Sequence, residues 1–296
     1  MIRQALAALL GLLLLVGCGT GAKEKDLRVM VIPTQAGEAF ETAMTRLERE
    51  LSSRSGLPVK VTIGTDYAAV VEALRFGKIE AAYFGPFTYV VASAQSGARA
   101  FATMQIKGKP YYHSYMIVPK DSPITQLTSP ADFTAQVKGK RFAFADAGST
   151  SGSLVPRLAL KRAGLNWESD VKYTFTGHHD AVLAAVAGGK AEIGAVDSAI
   201  FEGQLREKMP AEFAKVRVVW QSEPLYQYPW AARGDLDPKL VHRLQKAFLE
   251  IEDREILSAL GGADRFVTAD DAQYAPIREA ATEMGIDLKR YSLKKK

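Results

Sequence analysis

From Leu27 onward, short apolar runs and helix-spaced stretches take turns along the chain, and the pattern starts over near Arg141. LRVMVI (27–32) leads into helical spacing over 39–53, PVKVTI (58–63) into 67–76, and AAYF (81–84) into 86–96. Such βαβ alternation favours parallel strands, because each helix carries the chain back to the same end of the sheet. It also puts ligand sites at the carboxyl ends of the strands. FATMQ (101–105) and YYHSYMIVP (111–119) continue as strands. The second round sets RFAFAD (141–146) before a helix over 151–163, VKYTFT (171–176) before 180–187, and AEIGAVD (191–197) before a short helix near Ala199. VRVVW (216–220) and YPWAAR (228–233) follow, and 238–260 and 270–284 carry apolar residues at helical spacing. With no long linker between the halves, the pattern predicts two α/β lobes, each a mainly parallel sheet flanked by helices. Two crossing strands join them, near 114–120 and near 221–228. Lobe 1 then comprises 26–116 and 222–296, and lobe 2 comprises 117–221.

Ahead of this alternation stands MIRQALAALLGLLLLVGCGT, in which Arg3 precedes an uncharged apolar core from Ala5 to Val16. That core is too short to span a bilayer as an ordinary helix and has the layout of an export signal, here over 1–17. Leu15-Val16-Gly17-Cys18 resembles a bacterial lipobox. The resemblance implies acylation of Cys18, a short tether over 18–25, and an exported protein held at a membrane by lipid. Cys18 is the single cysteine of the chain, so the exported domain has neither disulfides nor a thiolate metal site. Its fold rests on an apolar core, which a chain of 296 residues readily supplies. Of the net charge of +5, three charges are the terminal Lys294, Lys295 and Lys296, which leaves the folded body near neutral. A basic stripe for nucleic acid is absent.

The chemistry concentrates in ADAGSTSGSLVPRLALKRAG (145–164). Ser149, Thr150 and Ser151 lie between Gly148 and Gly152, after a strand and at the start of a helix. There their side chains can cap first-turn N–H groups, and the helix terminus can cradle an anion. A P-loop is excluded by the missing lysine, and a nucleophile elbow by the threonine at the centre of Gly148-Ser-Thr-Ser-Gly152. Gly177-His178-His179-Asp180 and Val196-Asp197-Ser198 occupy the next two strand-to-helix turns, which share a sheet edge with the hydroxyl cluster. On the other lobe the equivalent turns are Thr65-Asp66-Tyr67 and Tyr83-Phe84-Gly85-Pro86, where the proline suits a first helical position. A helix cap without a ligand, or core tyrosines at 67 and 112, would account for the same residues one at a time.

In combination, TDYAAVVEALRFGKIEAAYFGPF (65–87), YHSYMIVPKDSP (112–123), STSGSLVP (149–156), GHHDAVLAAV (177–186) and VRVVWQSEPL (216–225) resemble the periplasmic substrate-binding proteins of phosphonate and phosphite ABC transporters. The resemblance runs from about Leu27 to Met284. It implies a type II periplasmic binding protein fold whose lobes close on a tetrahedral phosphorus oxyanion, and a monomer that delivers this ligand to a permease without a cofactor or a metal. Carried over by position, it implies donors at Tyr67 and Tyr112 from lobe 1 and at Ser149, Thr150, Ser151 and His178 from lobe 2. His179, read on its own, is expected to face solvent or its neighbours. Hydroxyls and imidazole N–H groups suit a ligand that offers acceptor oxygens.

Family members that hold aminoalkylphosphonates use acidic side chains at the positions of Ala199 and Tyr228, which cannot pair with an ammonium group here. Asp197 is the remaining acid, and a carboxylate beside an anion needs a proton between them. Phosphite and methylphosphonate are therefore the expected ligands. Two other classes use the same residues: a sensor that presents its closed form to a membrane kinase, and a hydrolase with Ser149 or Ser151 as nucleophile, His178 as base and Asp197 as orienter.

Overall fold

The computed structural model describes residues 26–293, so the expected export signal, Cys18 and the terminal lysines lie outside it. Its strands are β1 (Leu27–Val31), β2 (Val59–Ile63), β3 (Ala81–Tyr83), β4 (Arg99–Gln105), β5 (Tyr111–Tyr112), β6 (Ser114–Pro119), β7 (Arg141–Phe144), β8 (Lys172–Phe175), β9 (Ile193–Asp197), β10 (Val216–Gln221), β11 (Leu225–Tyr226), β12 (Trp230–Ala232) and β13 (Arg265–Thr268). The α-helices are α1 (Glu38–Ser55), α2 (Tyr67–Arg75), α3 (Pro86–Ser96), α4 (Pro130–Val137), α5 (Val155–Arg162), α6 (His179–Ala187), α7 (Ser198–Ile200), α8 (Arg206–Lys208), α9 (Pro210–Phe213), α10 (Pro238–Leu249), α11 (Arg254–Ala259) and α12 (Ala275–Glu283).

Two sheets form. The first has the order β13-β4-β12-β3-β1-β2 and the second β10-β6-β9-β7-β8. In the first, β1 runs parallel to β2 and β3, while β12 is antiparallel to both β3 and β4, and β13 to β4. Strands β1 to β4 thus share one direction. In the second, β7 runs parallel to β8 and β9, and only β6 is reversed. The mainly parallel architecture follows from the βα units, and the reversed strands are those laid down as the chain enters lobe 2 or returns to lobe 1.

Between the sheets the chain passes through a two-stranded ribbon that pairs Tyr112 with Leu225 and Tyr111 with Tyr226. The first crossing, expected at 114–120, comes earlier, because Ser114–Pro119 is β6 and pairs within the second sheet with β9 and β10. Its Met116 and Val118 belong to that lobe's core. The lobe boundary proposed at 116/117 is better put before Ser114.

Each lobe has its own apolar interior. Val29, Val31, Leu47, Val70, Leu74, Phe87 and Trp230 fill the first, and the two faces of the second sheet are covered by separate clusters around Phe142, Phe144 and Leu160 and around Val182, Leu183 and Val196. At roughly 1.5 to 3 kcal/mol for each large side chain buried, these interiors supply the disulfide-free stability that the sequence calls for. Among the described residues, no helix is long and apolar enough to cross a membrane.

Candidate functional site

The site begins with a backbone device. Ser149 caps a π-turn over Thr150–Leu154 by accepting from Gly152 N at 3.0 Å, and the wide turn is closed by Leu154 N donating to Ser149 O at 3.0 Å. The helix expected over 151–163 is therefore a π-turn leading into α5. The loop is pinned from below by Ala145 N donating to Gly152 O at 2.9 Å and by Ser114 Oγ donating to Ser151 O at 2.6 Å. Gly152 has no alternative, since a Cβ there would lie 2.4 Å from Ala145 Cβ and 3.1 Å from His179 Cε1. We expect Gly152→Ala to lower stability by about 2 to 3 kcal/mol, because neither neighbour is a flexible side-chain end that can yield. Urea denaturation checks this, and an unchanged midpoint would contradict it.

The loop meets the other lobe directly. Thr150 Oγ1 accepts from Phe87 N at 2.8 Å and so caps α3, the helix that starts with Pro86. Further bonds across the crevice run from His179 N to Thr34 O (3.3 Å) and from Ala36 N to Asp180 Oδ2 (3.3 Å). The lobes are in the closed arrangement. Thr150→Val leaves the buried Phe87 N–H without its acceptor, and we expect a loss of about 1 to 3 kcal/mol in thermal unfolding.

Tyr67, Tyr112, Ser149, Thr150, Ser151 and Asp197 all come together here. Tyr67 is the first residue of α2, whose cap is Asp66, and Tyr112 ends β5. Both are buried, and their hydroxyls, like Ser151 Oγ, have no hydrogen-bond partner. The Tyr67 hydroxyl lies beside Ser149, with Asp146, Asp197 and Tyr112 near; that of Tyr112 lies beside Thr150, Ser151 and Tyr228, with Asp197 near. Burial raises both phenols well above their ordinary range, so they remain neutral donors.

His178 does not join this cluster, contrary to the assignment made by position. It is half-buried at the cap of α6, its Nδ1 is 2.8 Å from Pro33 O, and it lines a cavity of about 730 Å³ at the crevice mouth with Thr65, Asp66 and Asp146. His179, expected to face outward, is the buried one. As the first residue of α6 it turns its ring inward, to within reach of Gly152. Asp197 N lies 3.3 Å from His179 Nδ1, and since a backbone N–H can only donate, this bond assigns the ring proton to Nε2. Nε2 is buried and unpartnered. Burial, with help from the neighbouring His178, pushes the His179 pKa down to about 3, which fixes the ring as a neutral N–H donor.

Asp197 closes the far side. Its Oδ1 accepts from Ala199 N at 2.7 Å and Ile200 N at 3.0 Å. Burial nevertheless pushes its pKa up to about 7, against the downward pull of those two N–H groups and the Tyr228 hydroxyl. Next to it lies a constricted cavity of about 10 Å³ whose walls include Tyr83, Met104, Ala199, Gln227 and Tyr228. Gln227 was not legible from sequence; it is buried, and its Nε2 is unpartnered. Among the described residues, no group of His, Cys, Asp and Glu is arranged to hold a metal ion.

The arrangement is thus a closed shell of neutral donors with the protonatable Asp197 on its far side, placed between two α/β lobes. Residues 29–274 match the family model described as ABC transporter, phosphonate, periplasmic substrate-binding protein. The chain belongs to that family. Among phosphonate-family relatives, it is 28% identical over 264 residues to the phosphonates-binding periplasmic protein of Escherichia coli K12, covering 88% of this chain and 77% of that one. It is 28% identical over 236 residues to the phosphate-import protein PhnD of Mycolicibacterium smegmatis, covering 76% and 72%. Of solved structures, PhnD1 from Prochlorococcus marinus in complex with methylphosphonate superposes with a TM-score of 0.79 at 25% identity, covering 88% of this chain and 99% of that one. A family of exported periplasmic substrate-binding proteins accounts for the two lobes and for the crevice between them.

Proposed function

We propose that this protein captures phosphite or methylphosphonate between its lobes for an ABC importer, as an exported lipoprotein anchored through Cys18. The observation that carries the reading is that four buried, unpartnered polar atoms, the hydroxyls of Tyr67, Tyr112 and Ser151 and His179 Nε2, belong to residues gathered around the 149–152 loop. Leaving such groups unpaired costs about 1 to 3 kcal/mol each, and hydrogen bonds to a charged partner are worth about 1.5 to 3 kcal/mol each. After the losses of ordering and closure, that suffices for micromolar binding, about −8 kcal/mol. An anion held by uncharged donors needs no counter-cation, as at helix termini.

The substituent on phosphorus would lie in the constriction of about 10 Å³ beside Tyr83, Met104 and Ala199, which leaves room for hydrogen or methyl, while an oxygen faces Asp197. Ala199 and Tyr228 offer no carboxylate to an ammonium group there. The hydrolase arrangement gains no support from the geometry, since His178 is committed to Pro33 O and a His179 held neutral down to about pH 3 makes a poor base.

Titration calorimetry of the mature domain against phosphite, methylphosphonate, phosphate and 2-aminoethylphosphonate tests the ligand. The expected result is that phosphite and methylphosphonate bind at least about 100-fold tighter than the amine, which corresponds to about 2.7 kcal/mol. Tightest binding of 2-aminoethylphosphonate would sink the reading. Mass spectrometry of the mature amino terminus tests acylation of Cys18.

A further inference from the structure

The chain does not end with α12. After a turn at Gly285 it runs back as a strap over 286–293, beyond the residues matched by the family model. On lobe 1 the strap is fastened by Gln95 Nε2, which donates to Leu288 O and Tyr291 O at 3.0 and 2.9 Å, and by the Tyr291 ring, 5.5 Å from that of Phe87. On lobe 2 it touches the oxyanion loop. Leu293 is only 9% exposed, and a Cβ on Gly148 would come within 3.1 Å of its Cδ2.

Behind the same loop lies Arg157, 5% exposed. Its Nε donates to Ser153 O at 3.1 Å and its Nη2 to Ala147 O at 3.5 Å, and the guanidinium stands 4.8 Å above the Trp167 ring. Burial lowers the pKa of this cation. At the root of the strap, Arg162 forks onto the Glu283 carboxylate at 2.8 and 2.6 Å, and Lys161 donates to the Glu283 carbonyl. Lobe 2 thus grips the carboxyl-terminal segment of lobe 1 through one face of α5.

We propose that Arg157 is a positioning residue for ligand capture: it holds the oxyanion loop from behind, and the loop so held is the surface on which Leu293 of the carboxyl-terminal strap seats at Gly148, so that closing on a ligand and seating the strap are one event. A planar fork that reaches two carbonyls while stacked on a ring is a geometry lysine cannot reproduce. Because the strap is fastened to one lobe and meets the other in the closed arrangement, moving the lobes apart would part Leu293 from the loop, so this contact favours the closed form. Their effect therefore falls on release, not on encounter. The role in capture rests on the ligand reading above, whereas the tie between loop and strap is a property of the chain itself.

Three variants test it: a chain ended after Gly285, Leu293→Ala, and Arg157→Lys, the last two also combined. Stopped-flow tryptophan fluorescence gives the release rate of methylphosphonate, and amide hydrogen exchange over 147–153, without added ligand, reports the loop. Shortening the chain should raise both rates about tenfold or more, which is about 1.4 kcal/mol. Leu293→Ala and Arg157→Lys should each speed release by about threefold, and the double variant by less than the product of the two, because both act through the one loop. The proposal is overturned if the shortened chain stays within about twofold of the parent in exchange, or if the two single effects multiply. If the parent takes no phosphorus oxyanion, the ligand reading falls, while the exchange measurement still decides the tie. Should Arg157→Lys fail to fold, Leu293→Ala and the shortened chain carry the same decision.

Discussion

Replacing His179 with alanine weakens methylphosphonate binding by about 10- to 150-fold, whereas His178→Ala changes it by no more than about threefold. The asymmetry follows from two bonds. His179 receives the Asp197 N–H on Nδ1, which leaves Nε2–H as an unpartnered donor in the buried cluster. Its loss removes one hydrogen bond to a charged ligand, about 1.5 to 3 kcal/mol, and also leaves the Asp197 N–H without an acceptor. The second effect is felt by the free protein too, so the unfolding midpoint of His179→Ala falls by about 1 to 3 kcal/mol. His178, by contrast, meets Pro33 O near the crevice mouth, so its removal loosens closure slightly and leaves the ligand shell intact. Calorimetry on the two variants decides the matter, and equal losses would put the ligand outside the 149–151 cluster.

Two adjacent histidines in GHHD give the sequence reader no means to choose between them, because the choice depends on where α6 begins. With His178 at the cap and extended, the side chain of the next residue is the first that the helix turns inward. A one-residue error in a helix boundary thus becomes an error in the ligand set. The π-turn at Thr150–Leu154 was hidden for a related reason: glycine and hydroxyl residues announce a helix start, but one extra residue per turn leaves no periodic trace over so short a span. YYHSYMIVP reads as one strand, although His113 separates the ribbon β5 from β6, and only pairing partners distinguish them. The spacing over 238–260 reads as one helix, yet Asp253 caps a second one, α11. Strand β13 lay in a stretch with no periodic signal of its own. What was legible is what local chemistry dictates: the βα alternation, Pro86 at a helix start, and three hydroxyls at a helix mouth. What was not legible is whatever the opposite lobe decides, including Thr150 capping α3 and the strap that reaches Gly148.

The second large effect is on pH. A carboxyl whose pKa is about 7 in the folded protein and about 3.9 in the unfolded chain stays protonated in the native state over a range where the unfolded state has lost its proton. Stability therefore falls as pH rises from about 4 to about 7 and levels off above, by at most about 4 kcal/mol from this one group. Asp197→Asn abolishes that fall, so the variant gains on the parent in unfolding midpoint at pH 8 and not at pH 4. Binding follows the same proton. A neutral Asp197 can donate to an oxyanion, and an ionised one repels it, so one proton must lie between the carboxyl and the ligand. Methylphosphonate loses its own second proton near neutrality, and above about pH 8 neither partner holds that proton alone. Each further pH unit then weakens binding about tenfold, with uptake of one proton on binding. In Asp197→Asn the amide supplies a permanent N–H, which removes the need for the shared proton and flattens the profile. Calorimetry between pH 6 and 9, in two buffers of different ionisation enthalpy, reads both the slope and the proton uptake. A parent protein that binds with no proton uptake at pH 8.5, or a variant that keeps the parent's slope, would take Asp197 out of the ligand shell.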